Sequence, residues 1–275
     1  MHPTKSVSET REFLSFAVKL ALVVFILRSF IISPFNIPSE SMQPRLLIGD
    51  YLLVAKWPYG YSRYSLPFSV PLISGRVLAQ EPKRGDVVVF KAPANLSQDW
   101  IKRVIGLPGD RVQMRDGVLY LNGKAVPKKR VDDLVIPVTP NMIEATHREG
   151  GESPCFRALY ESHDAQGRLQ CRYPQYRETL PSGKSYNILD LADGPEDNTP
   201  EVLVPEGHVF VMGDNRDRSA DSRVAVADGG VGFLPIVNLE GRALVSVFAT
   251  DGSANWMMPW TWVSAARPER IGEGF

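Results

Sequence analysis

The segment Trp100–Asp110 reads WIKRVIGLPGD and is the centre of the predicted fold. Its first seven residues have the composition of a β-strand, in which alternate side chains share a face. Trp100, Lys102 and Val104 then point to one side, and the residues between them point to the other. The lysine therefore lies between two apolar residues on its own face of the strand.

Short runs on both sides of this segment show the same character. They are rich in Val, Ile and aromatic residues and are bounded by Gly, Pro and Asp. They are Tyr51–Lys56, Asp86–Phe90, Arg111–Gly123, His208–Gly213 and Arg242–Phe248. Asp116-Gly117 and Asn122-Gly123 predict tight turns within the third run. Since no segment after residue 32 shows ten or more residues of helical periodicity, we predict a mainly β fold without βαβ units.

Residues 124–203 differ in composition from the runs that flank them. They hold many Pro, Gly, Asp and Glu residues, few long apolar runs, and both cysteines, Cys155 and Cys171. We expect an insertion between two halves of a β core, 33–123 and 204–275, folded as a small lobe or as a set of long loops. A disulfide between the cysteines is expected if this part lies outside the cytoplasm, and two free thiols are the alternative.

An apolar segment precedes the β-rich part. Phe13–Ile32 reads FLSFAVKLALVVFILRSFII, and its 20 residues are enough to cross a hydrocarbon layer of about 30 Å. Lys19 and Arg28 can extend their charged ends toward the two interfaces. A cleaved signal peptide would need a site of small residues after this run, and ISPFNIPSE has none; a buried or amphipathic helix is the other alternative. We predict an uncleaved transmembrane anchor at 13–32 after a cytoplasmic tail at 1–12.

Composition argues against several classes of protein. Lys plus Arg and Asp plus Glu number 31 each, so the formal net charge is zero and nothing favours binding to nucleic acid. Two cysteines and four dispersed histidines do not form a zinc-binding pattern. We expect neither a metal nor a cofactor.

Two polar segments complete the set of motifs that can carry chemistry. Asn36–Asp50, NIPSESMQPRLLIGD, follows the anchor, and Gly213–Arg223, GDNRDRSADSR, follows an apolar strand. Taken singly, these are a turn with serine caps and a solvated charged loop, and Lys102 is a lysine on a solvated strand edge. A serine nucleophile, however, needs a base, and no histidine occurs in these motifs. An apolar setting lowers the pKa of a lysine, and Ser-Lys pairs are a known variant of the catalytic triad.

In this order after an N-terminal apolar segment, PSESM, IKRVIGLPGD and GDNRDRSADSR resemble the sequence boxes of bacterial type I signal peptidases. Arg84–Phe90, RGDVVVF, and Gly241-Arg242 extend the match. The resemblance implies a membrane-anchored β-rich catalytic core with an inserted smaller lobe. It implies a serine endopeptidase that removes signal peptides from exported preproteins after Ala-X-Ala. The catalytic part would lie on the extracytoplasmic side of the bacterial cytoplasmic membrane.

Carried over by position, the resemblance assigns Ser41 as the nucleophile and Lys102 as the general base. Ser39 and the backbone N–H of Ser41 would form the oxyanion hole, and Ser219 would orient the lysine. The resemblance assigns a supporting charge network to Asp214, Asp221 and Arg223. It assigns the walls of shallow substrate pockets to Phe35, Ile37, Met42, Val89 and Ile101.

Two features depart from the family pattern. Trp100 stands where a smaller aromatic residue is expected, and one apolar segment precedes the serine where some relatives have two. The expected partners are preproteins and the lipid bilayer, with no nucleic acid and a monomeric chain. The segment Asn255–Val263, NWMMPWTWV, suits either a membrane interface or core packing.

Three other classes compete with this assignment. Self-cleaving repressors and conjugation peptidases also use Ser-Lys pairs, but repressors carry a DNA-binding domain for which this chain has no room. A penicillin-recognising enzyme would need Ser-x-x-Lys, which the sequence around Ser41 lacks. A membrane-tethered β-domain without catalysis is the third class, and the presence of every residue that a dyad needs argues against it.

Overall fold

A computed structural model of the chain describes residues 4–255 and 257–275. The helices are α1 (Thr4–Ile26), α2 (Pro140–Glu149) and α3 (Trp260–Ala265), and a π-helical turn, Leu27–Ile31, continues α1. The strands are β1 (Ile32–Asn36), β2 (Asp50–Ala55), β3 (Tyr61–Ser62), β4 (Arg76–Val77), β5 (Val87–Ala92), β6 (Asn95–Gly106), β7 (Arg111–Arg115), β8 (Val118–Leu121), β9 (Lys124–Ala125), β10 (Lys128–Pro137), β11 (Glu161–His163), β12 (Leu169–Thr179), β13 (Ser185–Leu189), β14 (Val202–Leu203), β15 (His208–Met212), β16 (Leu234–Pro235) and β17 (Leu239–Ala249). The prediction of a mainly β chain with one N-terminal apolar helix is confirmed.

The largest sheet has seven antiparallel strands in the order β1-β2-β17-β5-β6-β15-β16. Strand β6 lies inside it, and Lys102 stands opposite Val88 of β5. Trp100 and Val104 pack into one apolar cluster, whereas Ile105 packs into another, as the alternation along the strand predicts. The sheet therefore holds the lysine between two strands and fixes the direction of its side chain.

Two tight turns follow from their sequences. In the turn between β7 and β8, Asp116 and Gly117 have φ values of 48° and 68°, and Asn122 and Gly123 after β8 have 51° and 77°. A two-residue turn of this type needs the left-handed region at both positions, which Asp, Asn and Gly tolerate best. These strands form a four-stranded sheet in the order β14-β7-β8-β9.

The segment between residues 124 and 203 contains a second four-stranded sheet, in which β12 pairs with β10, β11 and β13. The Sγ atoms of Cys155 and Cys171 are bonded to each other, and both residues are fully buried. They pack with Tyr173 and Leu189 of the same segment and with Ile48 of the main body. Contacts of this kind tie the segment to the loop that follows Ser41.

One helix of ten residues, α2, lies in the β-rich part although the sequence shows no sustained helical periodicity there. Thr139 caps this helix by accepting a hydrogen bond from the backbone of Met142 at 3.3 Å, and Pro140 occupies its first turn. Gly150 ends it with a left-handed φ of 69°. Met142 and Ala145 are its two buried residues, so its apolar face is too short to give a strong periodic signal, and the caps define it instead.

From Glu9 to Ile31, helix α1 and the turn after it are exposed at nearly every residue. Residues Glu9–Ile31 form the one helix of the described part that is long and apolar enough to cross a membrane. Of the predicted tail at 1–12, residues 1–3 lie outside the described residues.

In the C-terminal segment, Trp256 also lies outside the described residues. Trp260 and Trp262 are exposed, so core packing does not account for these two side chains.

Candidate active site

Ser41 lies in the loop between β1 and β2, and its side chain contacts that of Lys102 on strand β6. Lys102 Nζ lies 3.0 Å from Ser41 Oγ and donates a second hydrogen bond to the carbonyl of Ile101, also at 3.0 Å. Both side chains are buried. The contact joins residues 61 positions apart in the sequence, so it depends on the fold and not on a local turn.

The surroundings of Lys102 disfavour its charged form. Burial lowers the pKa of Lys102 to about 8, against the opposing effect of the Asp221 and Asp214 carboxylates, which raise it. The Trp100 ring centroid lies 5.4 Å from Nζ. A lysine with a pKa near 8 is neutral in a substantial fraction of molecules at mildly alkaline pH and can then accept a proton.

The loop that carries Ser41 is fixed at several points. The backbone N–H of Asn215 donates to the carbonyl of Ser41 at 3.1 Å, which ties this loop to the Gly213–Arg223 segment. Ser39 Oγ lies 3.4 Å from Ser41 Oγ. Burial raises the pKa of Glu40, and Arg218, at 3.3 Å from its carboxylate, counters that effect. The two serine hydroxyls thus lie side by side at the edge of the main body.

The carboxylate of Asp214 pairs with Arg103, a residue that the sequence analysis did not select. Arg103 Nε and Nη2 donate to the two oxygens of Asp214 at 2.7 and 2.6 Å, and both side chains are buried. Arg103 follows Lys102 directly and points to the opposite side of β6. The only sequence signal for this pair is an arginine inside an otherwise apolar strand, which needs a buried partner.

Asp221 and Arg223 form a second buried ion pair beside the dyad. Arg223 Nε and Nη2 donate to the carboxylate of Asp221, each at 2.9 Å, and the backbone N–H of Gly213 donates to it at 3.0 Å. Burial alone would raise the pKa of Asp221, but the Arg223 guanidinium and these hydrogen bonds hold it below its ordinary value. The pair fixes the turn that packs against Ser41.

Ser219 lies close to this turn without a polar contact to the lysine. Its Oγ is buried and has no hydrogen-bond partner among the described residues. A Cβ added at Gly213 would lie 2.3 Å from that Oγ and 2.5 Å from the carbonyl oxygen of Ser41. The absence of a side chain at Gly213 therefore lets the two serine-bearing segments pack together.

An apolar cleft of about 550 Å³ opens beside the dyad. Of the residues predicted to line it, Phe35, Ile37, Val89 and Ile101 do so. Met42 is completely buried in the core cluster with Ile37 and Val89 and is not among the described residues that line the cleft. Its predicted part in substrate binding stays a prediction.

The cleft also has walls that the sequence analysis missed. They are Asn36, Pro38, Gln98, Asp99, Glu149 and Ala220, and Trp100, noted above for its size, forms a further part of the wall. Most of these are neighbours of the selected motifs, but Glu149 comes from the end of α2 in the 124–203 segment. No pattern in the sequence indicates that contact, because it depends on how this segment packs against the main body.

One group of carboxylates has metal-ligand spacing. Oxygens of Asp190, Asp197 and Asp217 lie within 4.8 Å of one another. Lys128 pairs with Asp190, and backbone N–H groups of Gly194 and Leu191 donate to the other two carboxylates. The fold itself thus supplies a partner for each of the three.

Known proteins are similar to this chain over most of its length. The model of the family described as signal peptidase, peptidase S26, matches residues 10–248. Signal peptidase I of Rickettsia typhi is 37% identical over 285 residues, which cover 97% of this chain and 93% of that protein. Signal peptidase I of Rickettsia prowazekii is 36% identical over 95% of this chain and 92% of that protein.

A crystal structure of a signal peptidase I from Enterococcus faecalis is also similar to this chain. It has 26% sequence identity and a TM-score of 0.30, and the match covers 59% of this chain and 97% of that one. The family match spans the region from the apolar helix to strand β17, including every motif that meets at the buried serine and lysine. We conclude that this chain belongs to the signal peptidase family, peptidase S26, and is a peptide hydrolase.

Proposed function

We propose that the chain is a membrane-bound serine endopeptidase that removes N-terminal signal peptides from exported preproteins, with Ser41 as nucleophile and Lys102 as general base. The observation that carries this proposal is the 3.0 Å contact between Lys102 Nζ and Ser41 Oγ. A buried lysine whose pKa is lowered to about 8 suits the task, because the base must be neutral before it can take a proton.

The first half of the reaction follows from this contact. Neutral Lys102 Nζ takes the hydroxyl proton of Ser41 while Oγ forms a bond to the carbonyl carbon before the cleaved position. The carbon–nitrogen bond then breaks, and the protonated lysine gives its proton to the departing amine. The product is an ester on Ser41 together with the free N-terminus of the mature protein.

In the second half, Lys102 accepts a proton from a water molecule that attacks the ester. The signal peptide leaves with a new carboxylate, and the proton returns to Ser41 Oγ. The negative oxygen that develops in both halves needs donors, for which we assign the backbone N–H of Ser41 and the hydroxyl of Ser39. Removal of one such donor typically lowers the rate by about 10²–10³.

For the supporting residues, we propose that Asp214, Asp221 and Arg223 hold the turn at Gly213 against Ser41. We also propose that Ser219 orients Lys102 when substrate is bound, since its buried Oγ lacks another partner among the described residues. The distances at Gly213 support this, because Ser219 Oγ and the carbonyl oxygen of Ser41 both lie within 2.5 Å of the point that a Cβ on Gly213 would occupy.

The cleft supports a preference for small residues before the cleaved bond. Ile37 and Val89 are nearly completely buried, so they offer a shallow floor and not a deep pocket. Trp100, half-buried at the rim, narrows the space further. Alanine side chains fit such a surface and larger ones do not, which supports cleavage after Ala-X-Ala.

The exposed apolar helix supports anchoring in a bacterial membrane, and we place the catalytic part on the extracytoplasmic side of the cytoplasmic membrane, where exported preproteins emerge. We propose a single-pass, monomeric enzyme. The division into tail 1–12, anchor 13–32, β core 33–123 and 204–275, and inserted lobe 124–203 belongs to the same proposal.

The test uses the full chain purified in detergent and a preprotein with Ala-X-Ala before its cleavage site. Ser41→Ala and Lys102→Met should each abolish cleavage while the circular dichroism spectrum stays unchanged. Ser97→Ala and Lys184→Met, which change a serine and a lysine outside the dyad, should cleave normally. Normal cleavage by either dyad variant would contradict the assignment of Ser41 and Lys102. A mature protein whose N-terminus does not follow Ala-X-Ala would contradict the proposed specificity.

A further inference from the structure

Strands β3 and β4, the loop between them and Leu78 form an unusually apolar surface, which we call the apolar hairpin (61–78). Three of its large side chains stand out from the body: Phe68 is 100% exposed, Leu72 is 75% exposed and Leu78 is 77% exposed. Val70 and Val77 are exposed beside them. Five exposed large apolar side chains thus lie within eleven residues of sequence, and a concentration of exposed apolar surface typically marks a contact surface.

The hairpin presents almost no charge to its surroundings. Between residues 64 and 80 the sequence has one charged residue, Arg76. Its guanidinium points inward and donates to backbone carbonyls of the main body, including Gly60 at 2.8 Å and Val237 at 3.0 Å. Arg76 therefore fixes the hairpin to the protein. The other charged residue of the hairpin, Arg63, lies beside β3 and donates to the hydroxyl of Tyr64 at 3.0 Å, so the segment from 64 to 75 carries no charge.

The backbone conformation of the hairpin also indicates that its apolar side chains serve a contact. Phe68 and Leu78 have φ values of 59° and 51°, in the left-handed region that residues with a branched or bulky side chain avoid. Such a conformation costs about 1–2 kcal/mol for a residue with a Cβ. Asparagine or glycine would fit these positions with less strain, so the large apolar side chains need another reason to be there.

The base of the hairpin is fixed to the end of the apolar helix. Tyr61 Oη donates to the carbonyl of Phe30 at 3.0 Å, and the rings of these two residues are 5.2 Å apart in an edge-to-face arrangement. The backbone N–H of Lys56 donates to the carbonyl of Ile31 at 2.9 Å. Trp57, the next residue, is 47% exposed, and tryptophan favours the interface between lipid and water.

We propose that the apolar hairpin is a second membrane contact, in which Phe68, Leu72 and Leu78 enter the lipid leaflet at the C-terminal end of the helix. The occupant is the lipid of the same bilayer that the helix crosses, because the helix ends within one hydrogen bond of the hairpin. An apolar surface of this type typically enters about 5–10 Å into the boundary between headgroups and acyl chains. This inference rests on the membrane anchoring in the proposed function and not on the dyad.

The second contact restricts how the body tilts on its anchor. A single helix joined to a folded body leaves the body free to swing, whereas two contacts define its orientation. The cleft at Ser41 would then stay at one height above the lipid, where a membrane-inserted signal peptide presents its cleavage site.

The test places one fluorescent label at a time on the full chain. Both native cysteines are joined in a disulfide, so Leu72→Cys, Leu22→Cys and Leu159→Cys each introduce one thiol for a bimane label. Leu22 lies in the helix, and Leu159, 67% exposed in the 124–203 segment, is the matched control. Each protein is placed singly in phosphatidylcholine–phosphatidylglycerol nanodiscs whose lipids carry a bromine quencher near the headgroup or deep in the chains.

We expect the label at 72 to be quenched by the shallow quencher, as for a group at the headgroup boundary, and the label at 22 to be quenched by the deep one. The label at 159 should keep its fluorescence. Quenching at 22 without quenching at 72 would overturn the hairpin contact and leave the anchor intact. No quenching at either site would overturn both, and equal quenching at 159 would show that the whole body lies against lipid without a specific contact.

A second variant separates side-chain contact from mere proximity. Phe68→Asn and Leu78→Asn, added to the label at 72, suit the left-handed backbone and remove the apolar groups. Quenching at 72 should fall to the level at 159 while cleavage of a soluble peptide is unchanged. Unchanged quenching would contradict the proposal, as would a label that is shielded only in nanodiscs loaded with two copies of the chain, which would assign the surface to a protein partner.

Discussion

Arg103 and Asp214 form a buried two-point ion pair directly behind Lys102, with nitrogen–oxygen distances of 2.7 and 2.6 Å. Arg103 is the neighbour of Lys102 in β6, and Asp214 is the neighbour of Gly213, whose missing side chain lets Ser41 pack. The pair thus connects the strand that carries Lys102 to the turn that supports Ser41. The contact that we propose for catalysis depends on it.

Asp214→Asn should lower the free energy of unfolding by about 3–5 kcal/mol, because it leaves the Arg103 guanidinium buried without its counter-charge. Urea unfolding in detergent measures this. Glu201→Gln is the matched control, since Glu201 pairs with Arg111 at 2.8 Å on the exposed surface, and its loss should cost under about 1 kcal/mol. Equal effects of the two changes would contradict the structural role of the pair.

The pH dependence of cleavage should follow the deprotonation of Lys102. Since burial lowers the pKa of this lysine to about 8, the neutral base becomes more abundant as pH rises through that value. We expect kcat/KM for an uncharged peptide to increase from pH 6 to 9 with an apparent pKa near 8. A profile that is flat between pH 7 and 9 would show that another group limits the reaction.

Lys102→Met should stabilise the fold at neutral pH. The folded chain releases the lysine proton near pH 8, whereas the unfolded chain keeps it up to the ordinary value of 10.5, so the contribution of this residue to stability rises with pH across that window. Below pH 8 the folded chain bears the full cost of burying the charge. The difference between pKa values of 10.5 and about 8 corresponds to about 3 kcal/mol, at about 1.4 kcal/mol for each pKa unit.

Urea unfolding of wild type and Lys102→Met at pH 7 and pH 10 measures the difference. The advantage of the variant should be large at pH 7 and should nearly disappear at pH 10. A variant that is less stable than wild type at pH 7 would contradict this account, because it would mean that the charged lysine stabilises the fold.

Gly213→Ala should reduce activity more than stability. The added Cβ would lie 2.3 Å from Ser219 Oγ and 2.5 Å from the Ser41 carbonyl oxygen, so one of the two segments must move. A shift of about 1 Å at a catalytic group lowers the rate by roughly 10²-fold, which steady-state kinetics would detect. Gly274→Ala, where the nearest atom is 3.6 Å away, is the control and should retain wild-type kcat/KM.

Loss of the disulfide should destabilise the 124–203 segment. The bond between Cys155 and Cys171 closes a sequence separation of 16 residues, for which the stabilisation is about 3 kcal/mol. Cys155→Ser combined with Cys171→Ser should therefore lower the midpoint of urea unfolding and expose the segment to limited proteolysis. Identical cleavage patterns for the variant and the wild type would contradict this contribution.

Much of the local structure could be predicted from single segments. The Asp-Gly and Asn-Gly turns at 116–117 and 122–123 adopt the left-handed backbone that their residue types tolerate, and the strand around Lys102 alternates as its apolar pattern predicts. The apolar helix was evident from its length and composition. These features depend on sterics and hydrophobicity over a few neighbouring residues, which the sequence contains in full.

The sequence by itself determined the mainly β fold, the apolar helix and the motifs that assign the chain to its family. Only the tertiary structure decided that Lys102 Nζ reaches Ser41, that Arg103 pairs with Asp214, and that Glu149 of α2 lines the cleft. It also buried Met42 beneath the cleft and exposed the apolar hairpin beside the helix. Such contacts join residues far apart in the chain, and they arise from strand pairing and burial, which no short segment specifies alone.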